Sequence, residues 1–104
     1  MSDLSTKKSS KTFAVSKFRV KEPELYKVVM LNDNYTTMEF VVDVLVDIFG
    51  KTEAEARRIM LAVHKEGRGV VGIYVYDIAL SKVDQVDKRA KAKGFPLKCV
   101  VEKE

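Results

Sequence analysis

Tryptophan is absent from this chain of 104 residues, cysteine and histidine occur once each, and proline occurs twice. The lone cysteine, Cys99, excludes a disulfide framework. Zinc needs three or four ligands, so one Cys and one His fall short of a metal site, and no cofactor is implied. Flanked by Val100 and Val101, Cys99 reads as a small buried hydrophobe. No apolar run approaches the ~20 residues that span a bilayer, and the first residues lack the apolar segment of a secretory signal. A reduced, cytoplasmic setting without a membrane partner is therefore expected. The serine-hydrolase elbow, the paired-histidine zinc helix, the P-loop and the dinucleotide glycine fingerprint are all missing. No Ser or Cys nucleophile stands beside His64 in the sequence, so the residues give no support to an enzyme.

The charge is uneven. Residues 1–22 carry six basic and two acidic side chains, while the 13 basic and 13 acidic residues of 23–104 cancel. The whole net charge of +4 thus sits in the first segment. A folded nucleic-acid reader carries its basic patch on the domain itself, so nucleic acid is not the expected partner. The pI of about 9.2 and the third-helix residues Lys88, Arg89, Lys91 and Lys93 leave a basic ribosome- or RNA-associated module as the alternative. Rich in Ser, Thr and Lys and poor in apolar residues, 1–22 cannot offset the entropy of ordering and reads as a disordered extension. A single domain of modest core follows over 23–104.

Within that domain, Leu25 to Leu31 reads as a strand between Pro23 and the polar cluster Asn32-Asp33-Asn34. Thr36 with Glu39 forms a T-x-x-E helix start, predicting a helix over 37–49 that stops at Gly50. Thr52 with Glu55 repeats the signal for a helix over 53–65 ending at Gly67. The β-branched and aromatic run 70–76 predicts a strand, the 3- and 4-residue spacing of Val83, Val86 and Ala90 a helix over 80–93, and 97–102 a last strand. The order β-α-α-β-α-β predicts an α+β domain, a small antiparallel sheet of three strands with three helices on one face.

Three groups of residues bear on function. The loop Asn32-Asp33-Asn34-Tyr35-Thr36 concentrates side-chain acceptors. Loops of this composition are ordinarily Asx turns feeding a helix cap; the same acceptors suit a clamp for an ammonium, which offers three donors. Met60, Val63 and His64 share one helix face at i, i+3 and i+4. That face serves either as core with a His near the helix dipole or as the wall of a pocket with a polar mouth. Met38 and Val41 stand at i and i+3, as core or as an adaptable apolar wall.

Together these segments resemble a known family. LYKVVMLNDNYTTMEFV (25–41) and MLAVHKEG (60–67) are similar to the signature of the ClpS adaptors of bacterial Clp proteases, as is the ending with Pro96, Leu97 and Cys99. The resemblance covers residues 23–104. It implies an adaptor, not an enzyme, that binds proteins beginning with Phe, Tyr, Trp or Leu (the bacterial N-degron). It implies delivery of them to an AAA+ unfoldase, usually ClpA, coupled to ClpP. It further implies that Asn32, Asp33, Asn34 and His64 form the site for the substrate α-ammonium, with Asn32 and His64 holding it and Asp33 adding negative potential. Thr36, Met38, Val41, Met60, Val63 and Leu97 are then expected to line the pocket for the first side chain. Asp77 and Lys82 match positions that the family uses to dock on the unfoldase N-domain. Most relatives carry Asp where this chain has Asn34, and many carry Pro where it has Thr37.

Overall fold

Residue Val28 packs into the helices, Val29 points away from them and Met30 packs in again, and this alternation fixes the architecture. The computed structural model describes residues 22–104; the expected extension 1–22 lies outside that span but for its last residue. The elements are β1 (Leu25–Leu31), α1 (Met38–Asp47), α2 (Glu53–Glu66), β2 (Arg68–Val75), α3 (Tyr76–Lys93) and β3 (Lys98–Lys103). The sheet runs β2-β1-β3 and is antiparallel throughout, with Leu31 opposite both Arg68 and Lys98. This is the expected α+β order.

Val28, Met30, Val71 and Cys99 on the inner sheet face meet Val44 and Leu45 of α1, Ala56 and Ile59 of α2, and Ala79, Val86 and Ala90 of α3. Each fully buried Val or Leu is worth roughly 1.5–3 kcal/mol over leaving it in water. Val71 reaches the core through a bulge in β2, where the register slips between Val28 and Val29. On the outer face, Arg68 pairs with Glu102 at 2.6 Å. Because Arg68 lies opposite Leu31 and Glu102 opposite Lys27, the ion pair straps across β1 over Val29. Flanked by Val70 and Val100 on the neighbouring strands, Val29 is 0% exposed although it lies on the face away from the helices.

Helix starts differ from expectation in two places. The N-cap of α1 is Thr37, whose hydroxyl accepts from the Phe40 amide at 3.1 Å, and not Thr36. Thr36 is drawn away because its hydroxyl donates to Asp33. Helix α3 begins at Tyr76, four residues before the expected start, directly after β2. Its N-cap is Val75, which makes no side-chain cap bond, so no start signal existed to be read. The edge strands are displaced too: β2 starts at Arg68 rather than at 70, and β3 at Lys98 rather than at 97. Thr52 caps α2 as expected, accepting from the Glu55 amide at 3.1 Å. The Glu55 carboxylate does not complete the box, because Arg58 takes it at 2.6 Å.

The far end of α1 is closed from outside. Its last turn holds no basic residue, and α3 supplies two. Lys82 Nζ donates to the Ile48 carbonyl at 2.7 Å, and Arg89 pairs with Asp47 at 2.6 Å. These cations answer the negative end of the helix dipole. The chain then leaves through Gly50, with the Lys51 amide donating to the Leu45 carbonyl at 3.1 Å.

Candidate ligand-binding site

The loop between β1 and α1 is held at three points. The Asn32 amide donates to the Gly67 carbonyl at 3.0 Å, which continues the β1–β2 ladder by one rung. Gly67 can offer that carbonyl because it ends α2 at φ 91°, a conformation strained for any residue with a Cβ. Asp33 does the rest. Its Oδ1 accepts from the Tyr35 amide at 2.8 Å and the Thr36 amide at 2.7 Å, and its Oδ2 accepts from Thr36 Oγ1 at 2.8 Å. This is the Asx turn that the composition suggested, and its bonds consume much of the carboxylate. Partial burial pushes the Asp33 carboxyl up, but the bonds from Thr36 and Tyr35 outweigh it and hold it below the ordinary carboxylate value. Asp33 is therefore ionised at neutral pH.

Beside this loop lies a cavity of about 190 Å³. Drug-sized sites run from ~300 Å³ upward, so this one has room for a single side chain. Its mouth is formed by Asn32, Asp33, Asn34, Thr36 and His64, and its apolar walls by Met38 and Val41 of α1, Met60 and Val63 of α2, Leu31 and Leu97. Val63 stands where it does because α2 packs tightly on β2: a Cβ on Gly69 would lie 2.9 Å from Val63 Cγ2. Leu97 comes from the connection between α3 and β3. Gly94 turns the chain at the end of α3, Phe95 docks on Phe40 with ring centroids 4.9 Å apart, and Leu97 is delivered buried.

All ten residues expected at the amine site or in the pocket line this one cavity. Leu31 was not expected there, although its place as the last residue of the first strand could have signalled it. Gly67 was also missed as the anchor of Asn32, because a backbone carbonyl leaves no mark in a sequence. Asp77 and Lys82 lie elsewhere. Asp77 is exposed in the first turn of α3, and Lys82 is committed to the Ile48 carbonyl with its ammonium 5.8 Å from the centre of the Tyr74 ring. Among the described residues, no group of three His, Cys, Asp or Glu side chains is placed to hold a metal, and no helix is long and apolar enough to cross a membrane. Cys99 is buried on the inner face of β3, and its thiol is pushed up to about 12 by that burial.

Apolar walls beneath a mouth of uncharged acceptors, one carboxylate and one imidazole define a class of small α+β domain whose cavity has the chemistry to suit a ligand greasy at one end and cationic at the other. Comparison with known proteins gives that class a family. The family described as ATP-dependent Clp protease adaptor protein ClpS matches residues 21–100. The ATP-dependent Clp protease adapter protein ClpS of Acetivibrio thermocellus is 57% identical over 84 residues, 81% of this chain and 85% of that one. Its counterpart from Burkholderia mallei is 47% identical over 102 residues, 98% of each chain. Among solved structures, Agrobacterium tumefaciens ClpS2 bound to L-phenylalaninamide superposes with a TM-score of 0.78 at 42% identity, covering 80% of this chain and 100% of that one. The chain belongs to the ClpS family of ATP-dependent Clp protease adaptors, which are not catalytic enzymes.

Proposed function

We propose that the cavity captures the first residue of a substrate protein, taking Phe, Tyr, Trp or Leu into its apolar part and the free α-ammonium at its mouth. The observation that carries this reading is the single cavity in which Asn32, Asn34 and His64 stand over Met38, Val41, Met60, Val63 and Leu97. L-phenylalaninamide, the ligand named for the Agrobacterium relative, has a free α-amine, a benzyl side chain and an amide in place of the carboxylate. It is thus the chemical equivalent of an N-terminal phenylalanine. Burying such a side chain contributes roughly 1.5–3 kcal/mol, and a hydrogen bond to a charged amine a similar amount. Asn32, Asn34 and His64 hold the ammonium, and ionised Asp33 adds negative potential behind them. An internal residue has no free amine, and an acetylated one has lost the charge and keeps only one of three N–H donors.

In this reading the chain divides into an extension, 1–22, and an adaptor domain, 23–104. It works in the cytoplasm, and hands its cargo to a ClpA-type AAA+ unfoldase with ClpP, Asp77 and Lys82 belonging to the surface that meets the unfoldase N-domain. Fluorescence anisotropy with peptides that differ only at the first residue tests the central claim. Peptides beginning with Phe, Tyr, Trp or Leu bind, while the same peptides acetylated, or beginning with Gly, do not. Equal affinity for free and acetylated forms refutes it.

A further inference from the structure

A hydroxyl has one proton to give and two lone pairs to receive. The proton of Thr36 is already spent. Its Oγ1 lies 2.8 Å from Asp33 Oδ2, and an ionised carboxylate only accepts, so Thr36 is the donor in that pair. What Thr36 offers the cavity it lines is therefore an oxygen that accepts and does not donate. The bond to a carboxylate makes that oxygen a better acceptor, since hydrogen bonds in a chain polarise one another. The location is equally telling. The hydroxyl's partner Asp33 lines the same cavity and stands between Asn32 and Asn34 in the acceptor loop, so the bond holds the hydroxyl against that polar loop. An α-ammonium carries three N–H donors, and at this mouth the third loop position, Asn34, supplies only a neutral oxygen.

We infer that Thr36 Oγ1 is a direct acceptor for the α-ammonium of the bound chain, and that ionised Asp33 acts on the amine through it. This rests on the function proposed above and adds a ligand to it: Thr36 serves as a contact for the charge and not only as a stretch of pocket wall. No proton moves. The arrangement is Asp33 carboxylate, Thr36 hydroxyl, substrate ammonium, each group donating to the one before it.

The test compares two peptides on the full chain, one beginning with Phe and one in which a 3-phenylpropionyl group replaces that Phe, so that only the amine is lost. Thr36→Val keeps the shape and removes the hydroxyl. The ratio of affinities, amine over des-amino, should fall roughly 5- to 20-fold in Thr36→Val and stay within about 2-fold of wild type in Thr36→Ser. Thr36→Val also removes a bond to Asp33. If that bond merely braces the loop, both peptides weaken together and the ratio is unchanged, which overturns the inference. Tighter binding of both peptides to Thr36→Val, as for a purely apolar wall, overturns it as well. If wild type does not favour the amine peptide at all, the proposed function fails first and this contact with it.

Discussion

Asn34 is the position at which the mouth lacks a carboxylate, and Asn34→Asp asks what that absence is worth. Asn34 is exposed on the rim and lines the cavity, and among the described residues no hydrogen bond engages its side chain. A carboxylate there would be free to meet the ligand, unlike that of Asp33. Two unit charges ~4 Å apart attract by about 1 kcal/mol in bulk water and about 4 kcal/mol at the effective dielectric of a protein surface. An exposed mouth lies toward the first value, so a gain of about 1–1.5 kcal/mol is expected, roughly 5- to 12-fold in Kd. Repulsion between the new carboxylate and ionised Asp33 raises the pKa of the newcomer and trims the gain. Anisotropy titrations with one Phe-initiated peptide, at low and at high ionic strength, read the outcome. The variant should bind tighter at low salt and lose most of its advantage at high salt, where the Debye length falls below ~10 Å. If Asn34→Asp binds no better than wild type at low salt, the asparagine is not a weakened contact, and the amine is held without this position.

Four further outcomes follow from the geometry. Asp33→Ala frees the Tyr35 and Thr36 amides and the Thr36 hydroxyl; allowing for solvent around a partly exposed group, it should cost about 1–2 kcal/mol in thermal unfolding and weaken peptide binding. Because the folded pKa of Asp33 is lowered, this contribution is full above the ordinary carboxylate pKa and vanishes as pH falls through the folded value, so wild type and Asp33→Ala should converge in stability in strong acid. His64→Ala should weaken Phe-initiated peptides by about 1–2 kcal/mol with little change in melting temperature, whereas a residue that merely answers the helix dipole would show the reverse. Met38 is 49% exposed and lines the cavity, so Met38→Ala should improve Ile-initiated peptides more than Phe-initiated ones; an equal loss for both would mean that it is only packing. Lys82→Ala opens the end of α1 and should lower stability by about 1 kcal/mol, leaving peptide affinity of the folded protein unchanged.

The local elements were largely legible because their punctuation is chemical. Thr52, Gly67 and Gly94 mark helix ends by hydroxyl capping and by tolerance of positive φ, and they stand where the pattern put them. The signal failed where two equivalent residues competed. Thr36 and Thr37 are both good caps, and only the tertiary bond from Thr36 to Asp33 decides between them. It failed again at Val75 and Tyr76, where a helix starts without a cap inside a run of strand-forming residues. At the site, the acceptor loop on its own reads better as a turn than as a clamp, and the Met60–His64 face better as core than as a pocket wall. Their meeting depends on the bond from the Asn32 amide to the Gly67 carbonyl, and on Leu97 swinging in past Phe95. Neither is written in local spacing; the family resemblance brought the pieces together.

The supports of α1 have a consequence for motion. This helix carries Met38 and Val41 into the cavity, and it is pinned at both ends. Thr37 caps the start beside the braced Asp33 loop, while Lys82 and Arg89 grip the finish from α3. A beam held at both ends does not swing when guests of different size arrive. On the proposed function, adjustment between a leucine and a tryptophan then falls to the torsions of Met38 and Met60, whose unbranched thioethers have rotamers to spare. In relaxation experiments, the methionine methyl groups should change their order parameters from one guest to the next, while the backbone amides of α1 stay equally rigid throughout.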